Sequence, residues 1–530
     1  MARATQAQHQ KLALQIGPFI GGMNTYSDPS AIADDELADC VNFEVSLDGS
    51  LVSRPPIQSV VENTNWNERI YLLTVANIGG NQYIIGSNGD GVWYFHSGTW
   101  TLITNAFFAS AAVQYNDVVY ILPNPNNQSI ALAKWDPVNG YSDVSPANLK
   151  TMMGNTNFGG SKLLMYKGRL FIIPGPSKTD ATSRLIFSDP GNPESYSQTT
   201  QFVDINPGDG QRLMEAVVHD DNLILFKTDS TYVFTFSSTP ADAELIRINN
   251  VVGAQGQRCT ESWENSVFVL HRGTVYEIVN YNFAPINIKV PFFLDTSAPS
   301  QRVESIFLSR VKDRLIVRWF NRIYVYHLRT RTWTRWESAD ESLHNFGPVV
   351  ELASSSTTEY YAGSSVKDDK RLFKIGWAYN NVDIEEIDGT PVSINCSLRT
   401  KHYDLSDSFH FKRLHWWGVD ALVTNTVTGT VRTIVATFLP SWGDWEAQYT
   451  WGELDTWGTL SNETVTQTMI NVSGLSHLRS FYRFLKSVRF RQANFYVESS
   501  TDGSNQDGPI RVFSLTLVGA VKQVVSKGIN

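Results

Sequence analysis

The chain has 530 residues and a formal net charge of −9; 18% of its residues are charged and 12% are aromatic. A disordered chain would be rich in charge and poor in aromatics and is excluded, and a long coiled coil, which would need Ala, Glu, Lys and Leu at heptad spacing, is disfavoured. An acidic balance also argues against a protein that grips DNA over its whole surface, because affinity for phosphates comes from counterions released by Lys and Arg. The composition suits β-sheet, where aromatic and β-branched side chains cover pleated surfaces.

Residues 12–60 form a segment unlike the rest. It runs Ile16-Gly-Pro-Phe-Ile-Gly-Gly-Met-Asn24, then Asp28-Pro-Ser-Ala-Ile-Ala-Asp-Asp-Glu-Leu-Ala-Asp-Cys-Val-Asn42, then a strand ending Ser53-Arg-Pro-Pro56. Asp28 or Ser30 is placed to cap a short helix, with Asp34, Asp35 and Glu36 in its first turns, where the positive end of the helix dipole favours carboxylates. The Pro55-Pro56 pair stops any regular element. Residues 1–65 therefore read as an extended assembly arm with a short helix, and Arg54 as an ordered interface arginine. The polar start, residues 1–11, precedes no long apolar region and does not read as a signal peptide. No stretch approaches the roughly 20 apolar residues of a membrane-spanning helix.

Next comes a weak internal repeat, a polar turn leading into a short apolar strand. It recurs as Tyr115-Asn-Asp-Val-Val-Tyr-Ile-Leu122, Tyr166-Lys-Gly-Arg-Leu-Phe-Ile-Ile173, His219-Asp-Asp-Asn-Leu-Ile-Leu-Phe226, Trp263-Glu-Asn-Ser-Val-Phe-Val-Leu270 and Val311-Lys-Asp-Arg-Leu-Ile-Val-Arg318. The turn residues Asp117, Gly168, Asp221, Asn265 and Asp313 are spaced by 51, 53, 44 and 48. Weaker copies at Asn81 and Thr358 extend the count to about seven. A second strand follows each copy, at 91–95, 183–188, 230–236, 273–279, 322–327 and 371–375, and some units add a third, most clearly 330–336. Antiparallel strands repeating at this period are the signature of propeller blades, each needing neighbours to bury its faces. A large β-sandwich with similar hairpins is the alternative. The expectation is an all-β chain with a β-propeller of six or seven blades over 66–390.

From about residue 391 the strands change character. Runs at 396–403, 411–419, 430–438 and 511–518 suggest a β-sandwich-like platform domain, 391–530, of about seven strands. A loop rich in Trp and Gly interrupts it at 442–458, and 475–485 reads as a helix.

Chemical signals are few. The three cysteines, Cys40, Cys259 and Cys396, lie too far apart in sequence for a disulfide framework or a short-spaced metal site and read as buried thiols. No nucleophile elbow, zinc-protease motif or P-loop is present. His402, His410 and His415 have spacings that put His410 and His415 on opposite faces of a strand. Asp204-Ile-Asn-Pro-Gly-Asp-Gly210 has Gly and Asp inverted relative to a calcium loop and reads as a turn. Ser87-Asn-Gly-Asp90-Gly-Val-Trp93 resembles a sialidase Asp-box out of register. Basic runs at Arg310, Lys312, Arg314, Arg318 and at Arg479, Arg483, Lys486, Arg489, Arg491, the second interleaved with aromatics, suit either base stacking or a solvated face or interface rim, and the acidic chain favours the latter. Trp442, Trp445, Trp451 and Trp457 suit a sugar platform or, preferably, anchors for a long loop.

The order of these parts is similar to one family. Gly17-Pro-Phe-Ile-Gly-Gly-Met-Asn24, Asp28-Pro-Ser, Leu37-Ala-Asp-Cys-Val-Asn42 and Gly49-Ser-Leu-Val-Ser-Arg-Pro-Pro56 resemble the opening of tail hub or nozzle proteins of short-tailed bacteriophages, the tail tubular protein B type. The stretch 213–280, with its Gly253–Gly256 turn and Cys259, resembles their middle, and 483–518 their terminal strands. The resemblance implies a structural virion protein located in the tail: a homohexameric ring below the portal and head-to-tail adaptor, with double-stranded DNA in transit and tail fibres or tip proteins attached. It implies no enzyme activity, no cofactor, no metal and no membrane insertion of this chain. Interface candidates are Arg54, the four tryptophans, Arg483 and Arg489. The competing expectation is a glycan-binding or glycan-hydrolysing tail component.

Overall fold

The repeated polar turns are hairpin turns. Lys167 and Gly168 sit at φ 47° and 69°, and Asp220 and Asp221 at 46° and 61°. Positive φ at both central residues gives a turn whose twist matches the two strands it joins. The structure, a computed structural model, describes residues 10–62, 70–292, 307–337, 346–376, 384–403, 412–425, 431–441, 463–490 and 492–521, apart from breaks at 128, 155–157, 176–181, 238–239, 321, 354–357, 365–370, 388–389, 471–473 and 502–506. It divides into two compact units, one of residues 57–324 and 340–378, the other of 1–56, 325–339 and 379–530.

The first unit is a seven-bladed β-propeller. Its first five blades are four-stranded antiparallel meanders over 70–104, 109–143, 160–204, 213–249 and 260–285. The sixth begins with Phe307–Val311 and Arg314–Trp319; its last strand, Thr332–Trp336, falls in the other unit. The seventh takes Phe346–Ala353, Thr358–Ser364 and Arg371–Ile375 from one end of the unit and Ile57–Glu62 from the other, with Phe373 opposite Ser59 and Ile375 opposite Ile57. The innermost strands touch in sequence, from Ile70–Ile78 through Ala109–Tyr115, Gly160–Tyr166, Leu213–His219, Thr260–Trp263 and Phe307–Val311 to Phe346–Ala353, which touches Ile70–Ile78 again. The ring is closed.

Blade faces bury one another. Leu72, Ile85 and Val92 pack with Val119, Ile121 and Trp135 between blades one and two; Phe171 and Ile173 meet Leu225 and Phe234 between three and four. Tyr361 and Leu372 meet Ile70, Ile84 and Trp93 where the last blade reaches the first. Each such side chain contributes about 1.5–3 kcal/mol on burial. A short helix, Ala147–Met153, plugs blades two and three with Leu149, Met152 and Met153.

In the other unit the first and last described strands share a sheet. Gln10–Ile16 and Leu51–Ser53 both pair with Asp507–Val521, which also pairs with Lys412–Asn425, itself beside Gly474–Phe490. A second sheet places Glu36–Val41 between Thr332–Trp336 and Cys396–Thr400, continuing through Gln492–Thr501 and Val431–Ser441 to Glu463–Ile470. Residues 10–56 are thus woven into the platform instead of forming a separate arm, and 57–62 belong to the propeller.

Two expected helices are absent. Around Asp28 the chain makes turns: Asp28 Oδ1 accepts the Ser30 N–H at 2.8 Å, a local alternative to helix, and the Glu36 carboxylate accepts Asn24 Nδ2 and the Ala33 N–H, both at 2.9 Å. Glu36–Val41 then runs as strand. Residues 475–485 lie in the 17-residue strand Gly474–Phe490, whose ladder with Lys412–Asn425 is a long-range pairing that overrides local periodicity.

Candidate functional site

Of the sequence-derived candidates, Arg54, Arg483 and Arg489 lie among the described residues. Arg54 is 1% exposed, inside the platform unit. Its Nε donates to Asn42 Oδ1 at 2.8 Å, Nη2 to the Glu337 carbonyl at 2.9 Å and Nη1 to the Pro55 carbonyl at 3.1 Å, with the guanidinium 5.8 Å from the Trp336 ring centre. Every one of these donors is spent within its own unit. Trp442, Trp445, Trp451 and Trp457 lie outside the described residues, as does His410. Arg483 and Arg489 lie in Gly474–Phe490, opposite Trp416 and Arg413. All three cysteines are buried thiols outside any disulfide, as expected. Among the described residues no group of three His, Cys, Asp or Glu is placed to hold a metal ion.

The first basic run is largely internal, not a solvated face or rim. Arg314 pairs with Asp313, buried Arg318 donates to the Phe320 carbonyl at 2.8 Å, and Arg310 lies 4.0 Å from Glu351; Lys312 alone is exposed. The Asp-box-like stretch is the hairpin between the second and third strands of blade one, where Ser87 Oγ donates to the Gly91 carbonyl and accepts the Ala109 N–H.

The calcium-like stretch is a cage around a lysine. Lys227, with no exposed side-chain surface, donates through Nζ to the carbonyls of Ile205 at 3.0 Å and Asn206 at 3.1 Å and to Asp209 Oδ1 at 2.6 Å. Its ammonium stands where a cation would need to be. Burial on its own would raise the Asp209 carboxyl, but the Lys227 ammonium, the Gln211 N–H and Asn206 hold it below the usual carboxylate range.

Among the described residues, charged groups gather around a void at the propeller axis. A cavity of about 190 Å³ is lined by residues from the innermost strands of all seven blades, among them Thr74, Ser110, Lys162, Glu215, Glu261 and Ser309, together with Arg258. Glu215, 1% exposed, is saturated: Lys162 Nζ lies 2.7 Å from Oε2, the Arg258 N–H donates to Oε1 at 2.8 Å, and Thr260 Oγ1 donates to Oε2 at 3.2 Å. Glu261 is lifted to about 7 by burial in the wall, only partly offset by the positive charges of Lys162 and Arg310. Nothing in the strand pattern marks these residues beyond a lone acid in an otherwise β-forming run, as in Leu213-Met-Glu215-Ala-Val217 and Cys259-Thr-Glu261-Ser262, which is why sequence reading passes over them.

The raised Glu261 sets a pH dependence. Between about 4.5 and about 7 the folded chain holds a proton that the unfolded chain has released, so this group lowers stability as pH rises through that window. Glu261→Gln should flatten the fall in melting temperature between pH 5 and pH 8, an effect of about 3 kcal/mol at most. Parallel wild-type and variant melting curves across that range would contradict it.

No family model matches the chain, and no curated protein matches it. Among solved structures it is similar to the extracellular domain of a hybrid two-component system from B. thetaiotaomicron, at 9% identity and TM-score 0.42 over 62% of this chain and 40% of that one. It is similar to PorZ, a surface component of the type-IX secretion system of Porphyromonas gingivalis, at 11% identity and TM-score 0.38 over 67% of this chain and 44% of that one. It is also similar to the WD40 domain of Pan2 from Neurospora crassa, at 7% identity and TM-score 0.39 over 61% of this chain and 97% of that one. The chain thus spans less than half the length of the first two. Likenesses of this order bear on neither ligand nor partner.

Proposed function

We propose that the chain is a structural protein of a bacteriophage tail, a subunit of the nozzle or hub ring through which the genome leaves and to which adaptor and fibre or tip proteins attach. The observation that carries this reading is the convergence of the segments in which the family resemblance resides. Leu51–Ser53 from the opening and Asp507–Val521 from the close are neighbours in one sheet, and Glu36–Val41 builds the sheet beside Cys396–Thr400. Segments far apart in sequence that build one platform are what an assembly module needs, and a closed ring of blades leaves few sheet edges to aggregate.

In this reading the chain makes and breaks no bonds. Its propeller axis, with about 190 Å³ of space, is no path for a duplex whose major groove alone is about 12 Å wide, so DNA would pass through an opening framed by several copies. A wall of subunits each carrying −9 repels phosphates instead of holding them. The test is averaged electron images of the purified chain and of particles labelled with an antibody to it. Six-fold rings and label on the tail are expected; a monomer at all concentrations together with unlabelled tails would overturn the reading.

A further inference from the structure

We propose that the propeller axis is a binding site for a small oxyanion, a carboxylate or a phosphate, gripped by the Arg258 guanidinium. The inference does not depend on the tail reading.

The charged groups at the axis differ in how far they are already partnered. Glu215 already accepts three hydrogen bonds and neutralises Lys162, so it has little left for a ligand. Arg258 is the reverse. Its backbone N–H is bonded to Glu215 and its carbonyl to the Leu308 N–H at 2.8 Å, but its guanidinium makes no hydrogen bond or ion pair with any described residue. Arg258 lines a confined space with five N–H groups in a planar fork, and burial, only partly offset by the negative charge of Glu215, pushes the group down to about 10. A fork of that shape matches the two oxygens of a carboxylate or phosphate.

The backbone is set for this. Arg258 has φ 60°, a left-handed conformation uncommon for a residue with a Cβ, and the Glu215 bond to its N–H holds it there. The Thr74 and Ser309 hydroxyls line the same void, and Ser309 Oγ accepts the Val349 N–H at 3.3 Å, which leaves its own hydrogen to donate. Solvent reaches the site, since the Lys162 side chain keeps 27% of its surface. A cation is the poorer occupant: Glu215 already accepts from three donors, and burial disfavours the charged form of Glu261.

Titration calorimetry of the full chain at pH 6, with inorganic phosphate in one arm and acetate in the other, tests the proposal and separates the two sources. Binding of at least one anion at one per chain is expected, weakened at least ten-fold in Arg258→Gln and unchanged in Arg272→Gln, whose parent side chain is 75% exposed and paired with Asp229. Should Arg258→Gln not fold, the wild-type chain gives a second readout: the bound anion should slow phenylglyoxal modification of Arg258, followed by mass spectrometry, and leave Arg272 unaffected. Absence of one-to-one binding by both anions, or equal affinity in Arg258→Gln, or no protection of Arg258, would overturn the proposal.

Discussion

Lys227→Met should destabilise the propeller by about 3–5 kcal/mol, the cost of breaking a buried ion pair by removing one partner. The methionine fills much of the same volume, so packing changes little and the loss isolates the ammonium. Two carbonyls, those of Ile205 and Asn206, lose their donor in a dry site, and the Asp209 carboxylate loses its counter-charge. Asp209→Asn should cost less, because the two carbonyls keep their donor. The pH behaviour follows from the direction of the Asp209 shift. A carboxyl held below its unfolded value contributes stability that is fully present above that value and is lost as pH falls through the folded one, so acid should erode the wild type more steeply than Asp209→Asn. Thermal and urea unfolding of the three proteins between pH 3 and pH 7 are the measurements. A Lys227→Met change within about 0.5 kcal/mol of wild type, the range of an ordinary surface substitution, would show that the cage carries no strain-free ion pair of this kind.

Arg54→Ala should destabilise the platform unit by roughly 3 kcal/mol, since a buried hydrogen-bond network loses its charged hub and leaves acceptors unpaired. Asn42 is the partner that makes the loss cooperative. It sits at φ 59°, its Oδ1 accepts from both Arg54 Nε and the Glu337 N–H at 2.7 Å, and its Nδ2 donates to the Asn395 carbonyl at 2.7 Å. Removing the guanidinium leaves the Glu337 carbonyl without its donor and takes the cation from beside the Trp336 ring. The defect should appear in the dilute, unassembled chain, as early proteolysis of the platform and a lowered melting temperature. A variant that melts like wild type when dilute but fails only in ring assembly would instead favour an interface role.

Much of the propeller was legible because its blades are local objects. A two-residue turn whose first residue is at positive φ, followed by four apolar residues, needs only about ten residues of sequence to recognise, and Asp117, Gly168, Asp221, Asn265 and Asp313 all fall at hairpins between a blade's first and second strands. The platform was less legible because its pairings are long-range. Nothing near Leu475 announces that its partner is Thr424, and nothing near Ile16 announces Leu515. The capping signal at Asp28 was real chemistry put to a different use, an Asx turn instead of a helix start. The axial cluster was invisible for a related reason: Lys162, Glu215, Arg258 and Glu261 come from three blades and meet only once the ring has closed. Lys227 stands in an otherwise apolar strand, and its cage is built from residues about twenty positions earlier.

The seventh blade has a consequence for biosynthesis. Its clasp, Ile57–Glu62 against Arg371–Ile375, joins the first propeller strand made by the ribosome to the last. The early strand therefore waits, unpaired, while six blades are translated, and the torus snaps shut only at the end. Closing so long a loop is entropically slow, and a half-built arc carries two open edges that invite pairing with other nascent chains. A truncation just short of Arg371 should therefore yield insoluble aggregate and not a smaller six-bladed ring.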